Sequence, residues 1–96
     1  MPGVREKHLG EIIREVLKQH GLEEKVTETR ISQSWEKVMG KPIAAYTNKI
    51  SLKKHCLIVY LSSSVLRNEL TFAKQKIMQM INEELKQQIV NDIVFR

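Results

Sequence analysis

The first hydrophobic residues of this chain repeat with the period of an α-helix. Between His8 and Gln19 the apolar positions are spaced by three and four residues, which places them on one stripe of an amphipathic helix. Gly21 follows, at the position where a left-handed residue ends many helices. The pattern therefore predicts a helix over residues 8–19. Its apolar stripe consists of Leu9, Ile12, Ile13, Val16 and Leu17.

The next segment, from Leu22 to Met39, also has helical spacing, but its apolar side changes along its length. An early pair and a later trio of apolar residues lie on nearly opposite faces at ~100° per residue. These are Leu22 and Val26, followed by Ile31, Trp35 and Val38. Either the helix kinks near residues 27–29, or it contacts different neighbours along its length. Gly40 and Pro42 predict its end.

Two later segments alternate in the manner of β-strands. In the first, from Tyr46 to Leu52, one predicted face carries Thr47, Lys49 and Ser51. The second runs from Leu57 to Leu61, and its residues Ile58 and Tyr60 should share the face of Lys49 and Ser51. The connection Lys53-Lys54-His55 lacks the Asn-Gly or Asp-Gly pair of a tight turn. The pattern therefore predicts a hairpin without fixing its turn geometry.

The last third of the chain predicts one long helix and a final strand. Ser62–Ser64 offers hydroxyl groups for an N-cap, and the helix then runs from about Val65 to Leu85. Its predicted buried stripe is Leu66, Leu70, Ala73, Ile77, Met80 and Ile81. Alternation from Ile89 to Phe95 predicts the last strand. The order α-α-β-β-α-β predicts an α+β two-layer sandwich whose three-stranded sheet has helices on one face. We expect residues 1–7 to be disordered and residues 8–96 to form one domain.

Positive charge is concentrated in the middle of the chain. Between Lys37 and Lys76 there are eight basic residues and one acidic residue, whereas the remaining positions hold eight basic and ten acidic residues. Such a section favours a polyanion or an acidic protein as partner. A sheet face that combines lysine with tyrosine resembles single-strand nucleic-acid platforms, in which cations contact phosphates and rings stack on bases. The predicted nucleic-acid contacts are Lys49, Lys53, Lys54, Tyr60, Arg67 and Lys74.

Catalysis and metal binding find little support in the sequence. His55 and Cys56 are neighbours, and adjacent strand residues point to opposite faces, so they do not form a nucleophile–base pair. The three histidines, His8, His20 and His55, lack metal-ligand spacing. We expect no catalytic residue, no metal and no cofactor. A single cysteine and the lack of a signal peptide or membrane-spanning run favour a cytoplasmic protein with no small-molecule substrate.

Several segments in order resemble the DciA-like bacterial family. The helix-to-strand signature is Trp35-Glu36-Lys37-Val38-Met39-Gly40 followed by Ile43-Ala44-Ala45-Tyr46-Thr47. The match continues through residues 57–61, Ser63 and Ser64, Glu69 and Leu70, Asn82, Leu85 and residues 93–96. The resemblance covers about residues 9–96. One departure is the hairpin, in which the family usually has an acidic residue and Gly where this chain has Lys53-Lys54-His55.

The resemblance implies a KH-like domain that binds the replicative DNA helicase and DNA and assists helicase loading without being an ATPase. On this basis Trp35, Lys37 and Lys41 are the predicted helicase contacts, although Trp35 fits a core position as well. The GxxG loop of typical KH domains is absent, so DNA contact would use another surface. The alternatives are a KH-like RNA-binding module in RNA or ribosome metabolism, or a domain that binds only protein. The resemblance places the protein in the cytoplasm, associated with the nucleoid.

Overall fold

The structure, a computed structural model, describes the backbone of residues 2–19 and 21–96 and the side chains of residues 8–16, 18 and 21–96. Its helices are α1 (Pro2–Gln19), α2 (Leu22–Met39), α3 (Lys41–Ala45), α4 (Ser64–Phe72) and α5 (Lys74–Leu85). Its strands are β1 (Thr47–Lys53), β2 (Cys56–Leu61) and β3 (Asp92–Phe95). The described part of the chain contains no helix of the length and hydropathy needed to cross a membrane.

The three strands form one mixed sheet in the order β1-β2-β3. β1 pairs with β2 in antiparallel orientation, and β2 pairs with β3 in parallel orientation. Alternate residues of β2, namely Leu57, Val59 and Leu61, are buried beneath the helices, whereas Ile58 and Tyr60 are partly exposed on the other side. This arrangement confirms the predicted α+β fold with helices on one face of the sheet. The name KH-like stays a prediction.

The core lies between the inner face of the sheet and helices α2, α4 and α5. Its buried apolar residues are Ile31, Trp35, Leu52, Leu57, Val59, Leu61, Leu70, Ile77, Met78, Ile81, Leu85, Val90, Ile93 and Phe95. Asn82 ties the end of α5 to the segment before β3, because its Oδ1 accepts from the N–H groups of Ile89 and Val90 and its Nδ2 donates to the carbonyl of Val90. These bonds hold residues 89–91 in an irregular conformation, so β3 begins at Asp92 rather than at Ile89.

The predicted long helix is two helices in the structure. α4 begins after Ser63, whose hydroxyl accepts a hydrogen bond from the N–H of Leu66, as the serine run predicted. The helix then breaks at Ala73. There the backbone leaves helical geometry, with φ −98° and ψ 10°, and the N–H of Ala73 donates to the carbonyls of Leu70 and Thr71. Leu70 before the break and Ile77 after it are both buried in the core. Met78 is also buried, whereas the predicted core residue Ala73 is exposed.

The first two helices differ from the prediction in what covers them. α2 runs through residues 27–29 without a break, and its second half packs on the core through Ile31 and Trp35. Leu22 and Val26, in its first half, are exposed, as are the described residues of the α1 stripe. The side chain of Leu17 and the whole of His20 lie outside the described residues. α1 extends back to Pro2, but the proposed division at residue 8 stays a prediction.

Candidate nucleic-acid interface

The outer face of the sheet carries most of the residues predicted to contact nucleic acid. In the strand register Lys49 lies opposite Tyr60, Ser51 opposite Ile58, and Lys53 opposite Cys56. The register confirms the predicted shared face of these two strands. The Lys49 Nζ lies 5.7 Å from the centre of the Tyr60 ring, within the range of a cation–π interaction. A cation and an aromatic ring are therefore held side by side on a rigid sheet.

A bulge in β1 limits this face at one end. The pairing shifts between Thr47 and Lys49, so Asn48 is an extra residue and Thr47 lies opposite the buried Leu61. Thr47 therefore faces the core, and the prediction that it shares the face of Lys49 and Ser51 is wrong. The Trp35 indole N–H donates to Thr47 Oγ1 at 2.9 Å, and that hydroxyl donates to the carbonyl of Ile43 at 2.9 Å.

The hairpin turn presents Lys54 in a strained backbone conformation. Lys54 and His55 both have positive φ, at 49° and 67°, so the chain makes a tight two-residue turn without the glycine that such a turn favours. Neighbouring elements hold it in place. The Lys54 N–H donates to Glu24 Oε1 at 2.8 Å, and His55 Nδ1 lies 2.9 Å from the carbonyl oxygen of Ile89. Lys54 is exposed beside Lys53 at the tip of the hairpin.

A basic residue that the sequence did not suggest as a contact follows the third strand directly. The carbonyl of Arg96 accepts from the N–H of Leu61, and the N–H of Arg96 donates to the carbonyl of Val59, each at 2.8 Å. These bonds place Arg96 beside Tyr60, with the side-chain direction of the outer face. We call the set of Lys49, Lys53, Lys54, Tyr60 and Arg96 the basic outer face. Finding Arg96 requires knowing that β3 runs parallel to β2, which strand alternation does not reveal.

Lys74 and Arg67 differ from the other predicted contacts because each has an internal partner. Lys74 Nζ donates to Asp92 Oδ1 at 3.1 Å. That hydrogen bond, one from the backbone N–H of Ile93, and the charge of Lys74 hold the pKa of the Asp92 carboxyl below its ordinary value. Arg67 is half-buried and donates from Nη2 to the carbonyl of Leu61 at 3.3 Å. Its geometry indicates that it fastens α4 to the end of β2, so we leave it out of the interface.

The three residues predicted to contact the helicase lie in three different environments. Trp35 is 3% exposed and belongs to the core, so the core interpretation is correct and the ring presents no surface to a partner. Lys37 forms an ion pair with Glu84 of α5, with 2.9 Å between Nζ and Oε1. Lys41 is exposed at the start of α3. The tryptophan thus acts on this region only by supporting the helices from inside.

Within the described side chains, no group of three or more His, Cys, Asp or Glu residues is arranged to hold a metal ion. The groove between the start of α2 and the hairpin, of about 460 Å³, is lined by both acids and lysines. Its carboxylates Glu24 and Glu28 accept hydrogen bonds from backbone N–H groups of Lys54 and Leu52 at the free edge of β1. These acids hold the hairpin against α2, and the basic outer face remains the candidate site.

The comparison with known families agrees with the resemblance read from the ordered segments. No curated protein matches the chain. A family model described as "Dna[CI] antecedent, DciA" matches residues 8–95, which is nearly the whole chain. The chain therefore belongs to the DciA family, an accessory family of DNA replication.

Proposed function

We propose that this DciA-family protein is a non-enzymatic accessory of DNA replication that binds the replicative DNA helicase and, weakly and without sequence specificity, DNA. In this proposal it assists helicase loading in the cytoplasm, close to the nucleoid. The observation that carries the DNA-binding part is the basic outer face. It combines exposed cations with the ring of Tyr60 on one rigid surface.

The basic outer face suits a single strand better than a duplex groove. Lys49 and Arg96 flank Tyr60, so a base stacked on the ring would have phosphates within reach of a cation on either side. The partly exposed Ile58 and Val94 continue the face between Tyr60 and the hairpin, where Lys53 lies. The side chains that would read base edges are few, so we expect binding with little dependence on sequence.

Charge reversal on the face tests this proposal. Affinity for a labelled single-stranded oligonucleotide should be measured by fluorescence anisotropy from ~50 mM salt upward. We expect Lys49→Glu and Lys53→Glu each to weaken binding by about fivefold to tenfold. Each should also reduce the slope of log affinity against log salt by about 0.7, as expected when one phosphate contact is lost on a single strand.

The matched control is Lys76→Glu, which makes the same charge change at an exposed position of α5, away from the face. Equal losses of affinity in all three variants would indicate a general charge effect and contradict a specific face.

The variants Tyr60→Phe and Tyr60→Leu separate stacking of the ring on a base from packing of the side chain. We expect the first to retain affinity and the second to lose it, because only an aromatic ring stacks on a base.

The same oligonucleotide made as RNA tests the competing assignment. A site that contacts phosphates and stacks bases binds both strands similarly, whereas a site that contacts the 2′-hydroxyl prefers RNA. We expect similar affinities for DNA and RNA. A preference of more than tenfold for RNA would favour an RNA-binding module and contradict our assignment.

The helicase part of the proposal rests on family membership. Lys41 and the Lys37–Glu84 pair mark the candidate contact region, at the ends of α2 and α5. Pull-down with the purified replicative helicase tests it. We expect the unmodified chain to retain the helicase, Lys41→Glu to retain less of it, and Lys76→Glu to behave like the unmodified chain. If the unmodified chain fails to retain the helicase, this part of the proposal is wrong.

A further inference from the structure

The two edges of the sheet differ in what covers them. At the edge formed by β1, carboxylates of α2 accept hydrogen bonds from the N–H groups of Leu52 and Lys54. The other edge is β3, which pairs with β2 on one side and with no strand of the described residues on the other. An open edge offers its backbone groups to any strand that can pair with it. The sheet can therefore be extended at β3.

Two residues of β3 direct their backbone groups away from β2. The N–H and the C=O of Arg96 both bond to β2, so the alternate residues Val94 and Asp92 face β2 as well. Ile93 and Phe95 therefore face the open edge. Among the described residues, the Asp92 carboxylate accepts from the N–H of Ile93. No described hydrogen bond uses the C=O of Ile93 or either backbone group of Phe95.

These open groups select one register for an antiparallel partner of the same sequence. When Ile93 lies opposite Phe95 of a second copy, both residues of both copies exchange hydrogen bonds. Any other register leaves at least one of them without a partner in the second copy. In the selected register Val94 lies opposite its own counterpart, on a two-fold axis perpendicular to the sheet.

The same register brings opposite charges together on the outer face. It places Asp92 opposite Arg96 of the second copy and, by symmetry, Arg96 opposite Asp92 of the second copy. The backbone groups alone select the register, so this charge complementarity is a second, independent indication of the partner. The Asp92 side chain is 55% exposed although it accepts from Lys74, so a second cation can reach it. On pairing, the carboxylate exchanges the N–H of Ile93 for the guanidinium of the second copy.

We infer that two copies of this chain pair through β3 in antiparallel orientation, forming a continuous sheet with three strands from each copy. The pairing is short because β3 has four residues, and the net charge of +5 on each copy opposes it. We therefore expect a reversible dimer rather than an obligate one. The dimer joins the two basic outer faces on one side of the sheet, and the value of that surface for DNA binding is the one consequence that rests on the proposed function.

Complementary charge reversals test both the partner and the register. Asp92→Arg places two arginines opposite each other, and Arg96→Asp places two aspartates opposite each other, so each variant should repel its own copies. A mixture of the two variants restores opposite charges at both contacts. Sedimentation equilibrium of the full chain from ~10 µM to ~1 mM measures the association.

The average mass of the unmodified chain should rise with concentration from 11.2 kDa towards twice that value. Each variant alone should have a dissociation constant more than about tenfold higher, because two like-charged pairs replace two opposite pairs. The equimolar mixture should recover a dissociation constant within about threefold of that of the unmodified chain.

Cysteine cross-linking at the two-fold axis tests the register in a second way, in a Cys56→Ser background. Opposed residues of a non-hydrogen-bonded antiparallel pair have Cα atoms ~4.5 Å apart, within the range of a disulfide. Val94→Cys should therefore form disulfide-linked dimers under mild oxidation. The matched control is Ile58→Cys, which places a thiol at a partly exposed position of the same face on the central strand and should form none.

A constant mass of 11.2 kDa up to the highest concentration would overturn the inference, as would a mixture that associates no better than either variant alone. If the unmodified chain stays monomeric while both charge reversals impair helicase retention, the edge of β3 binds the helicase and the second copy is the wrong occupant. A dimer that binds neither DNA nor helicase would leave the inference standing and contradict the proposed function. Thermal unfolding of both variants at ~10 µM should stay close to that of the unmodified chain, because Asp92 and Arg96 are exposed.

Discussion

The two faces of the sheet are built from the same strands but have opposite character. On β2, Leu57, Val59 and Leu61 are buried against the helices, whereas the residues between them are partly exposed. The inner face is almost wholly apolar, and the outer face combines lysine and arginine with an aromatic ring and two aliphatic side chains. Because strand side chains alternate, a substitution on one face leaves the other nearly untouched. Stability and binding can therefore be altered separately within one strand.

The sharpest way to test this separation is to shorten neighbouring side chains of β2. Leu57 has no exposed surface, so Leu57→Ala should lower the free energy of unfolding by about 3 kcal/mol through lost burial and the cavity left behind. Ile58→Ala, on the outer face, should cost about 1 kcal/mol, because Ile58 is only partly buried. Urea unfolding followed by circular dichroism measures both. Equal losses would show that the outer face is also covered.

The hairpin tip offers a smaller effect in which stability and binding change in opposite directions. Lys54→Gly should raise the free energy of unfolding by about 0.5 kcal/mol, because glycine relieves the positive φ at a modest cost in the entropy of the unfolded chain. The backbone bond to Glu24 remains. Lys53→Gly removes the same charge from an ordinary strand position and should lower stability by about 0.5 kcal/mol.

Both glycine variants should bind single-stranded DNA more weakly than the unmodified chain, by a similar factor, because each removes one cation from the basic outer face. Denaturant unfolding and anisotropy on the same preparations compare the two effects. If Lys54→Gly is more stable and binds equally well, the strained lysine has no part in binding. Strain that is retained at a contact residue is common at functional sites.

The fold was accessible from the sequence wherever a local pattern decided it. Alternation along β2 predicted which residues share a face, and the serine run predicted the cap of α4. The bulge at Asn48 was not predictable in this way, because Thr47 turns inward to accept the Trp35 indole N–H, a contact between distant elements. The break at Ala73 was hidden as well, since the apolar spacing continues through it.

The candidate site was predicted in part for the same reason. Lys49, Lys53 and Tyr60 follow from the hairpin register, which neighbouring residues determine. Arg96 joins them only through the parallel pairing of β3, and Lys74 is engaged by an acid of that strand. A sequence shows that a lysine is present, but only the tertiary fold shows which acidic residue pairs with it.

The weakest effect is expected at the ion pair between Lys74 and Asp92, which lies beside the hairpin end of the outer face. The pKa of Asp92 is lowered in the folded state, so the pair contributes to stability above the unfolded pKa, near 3.8, and the contribution is lost as pH falls through the lower folded value. The thermal midpoint of the unmodified chain should therefore fall slightly more between pH 6 and pH 3 than that of Asp92→Asn. High salt should reduce the difference, because the side chains of Lys74 and Asp92 are both partly exposed to solvent.

The Asp92→Asn substitution also frees Lys74 and removes an acid from beside the outer face, so this variant should bind single-stranded DNA slightly more tightly. An unchanged affinity would place Lys74 outside the surface that contacts DNA.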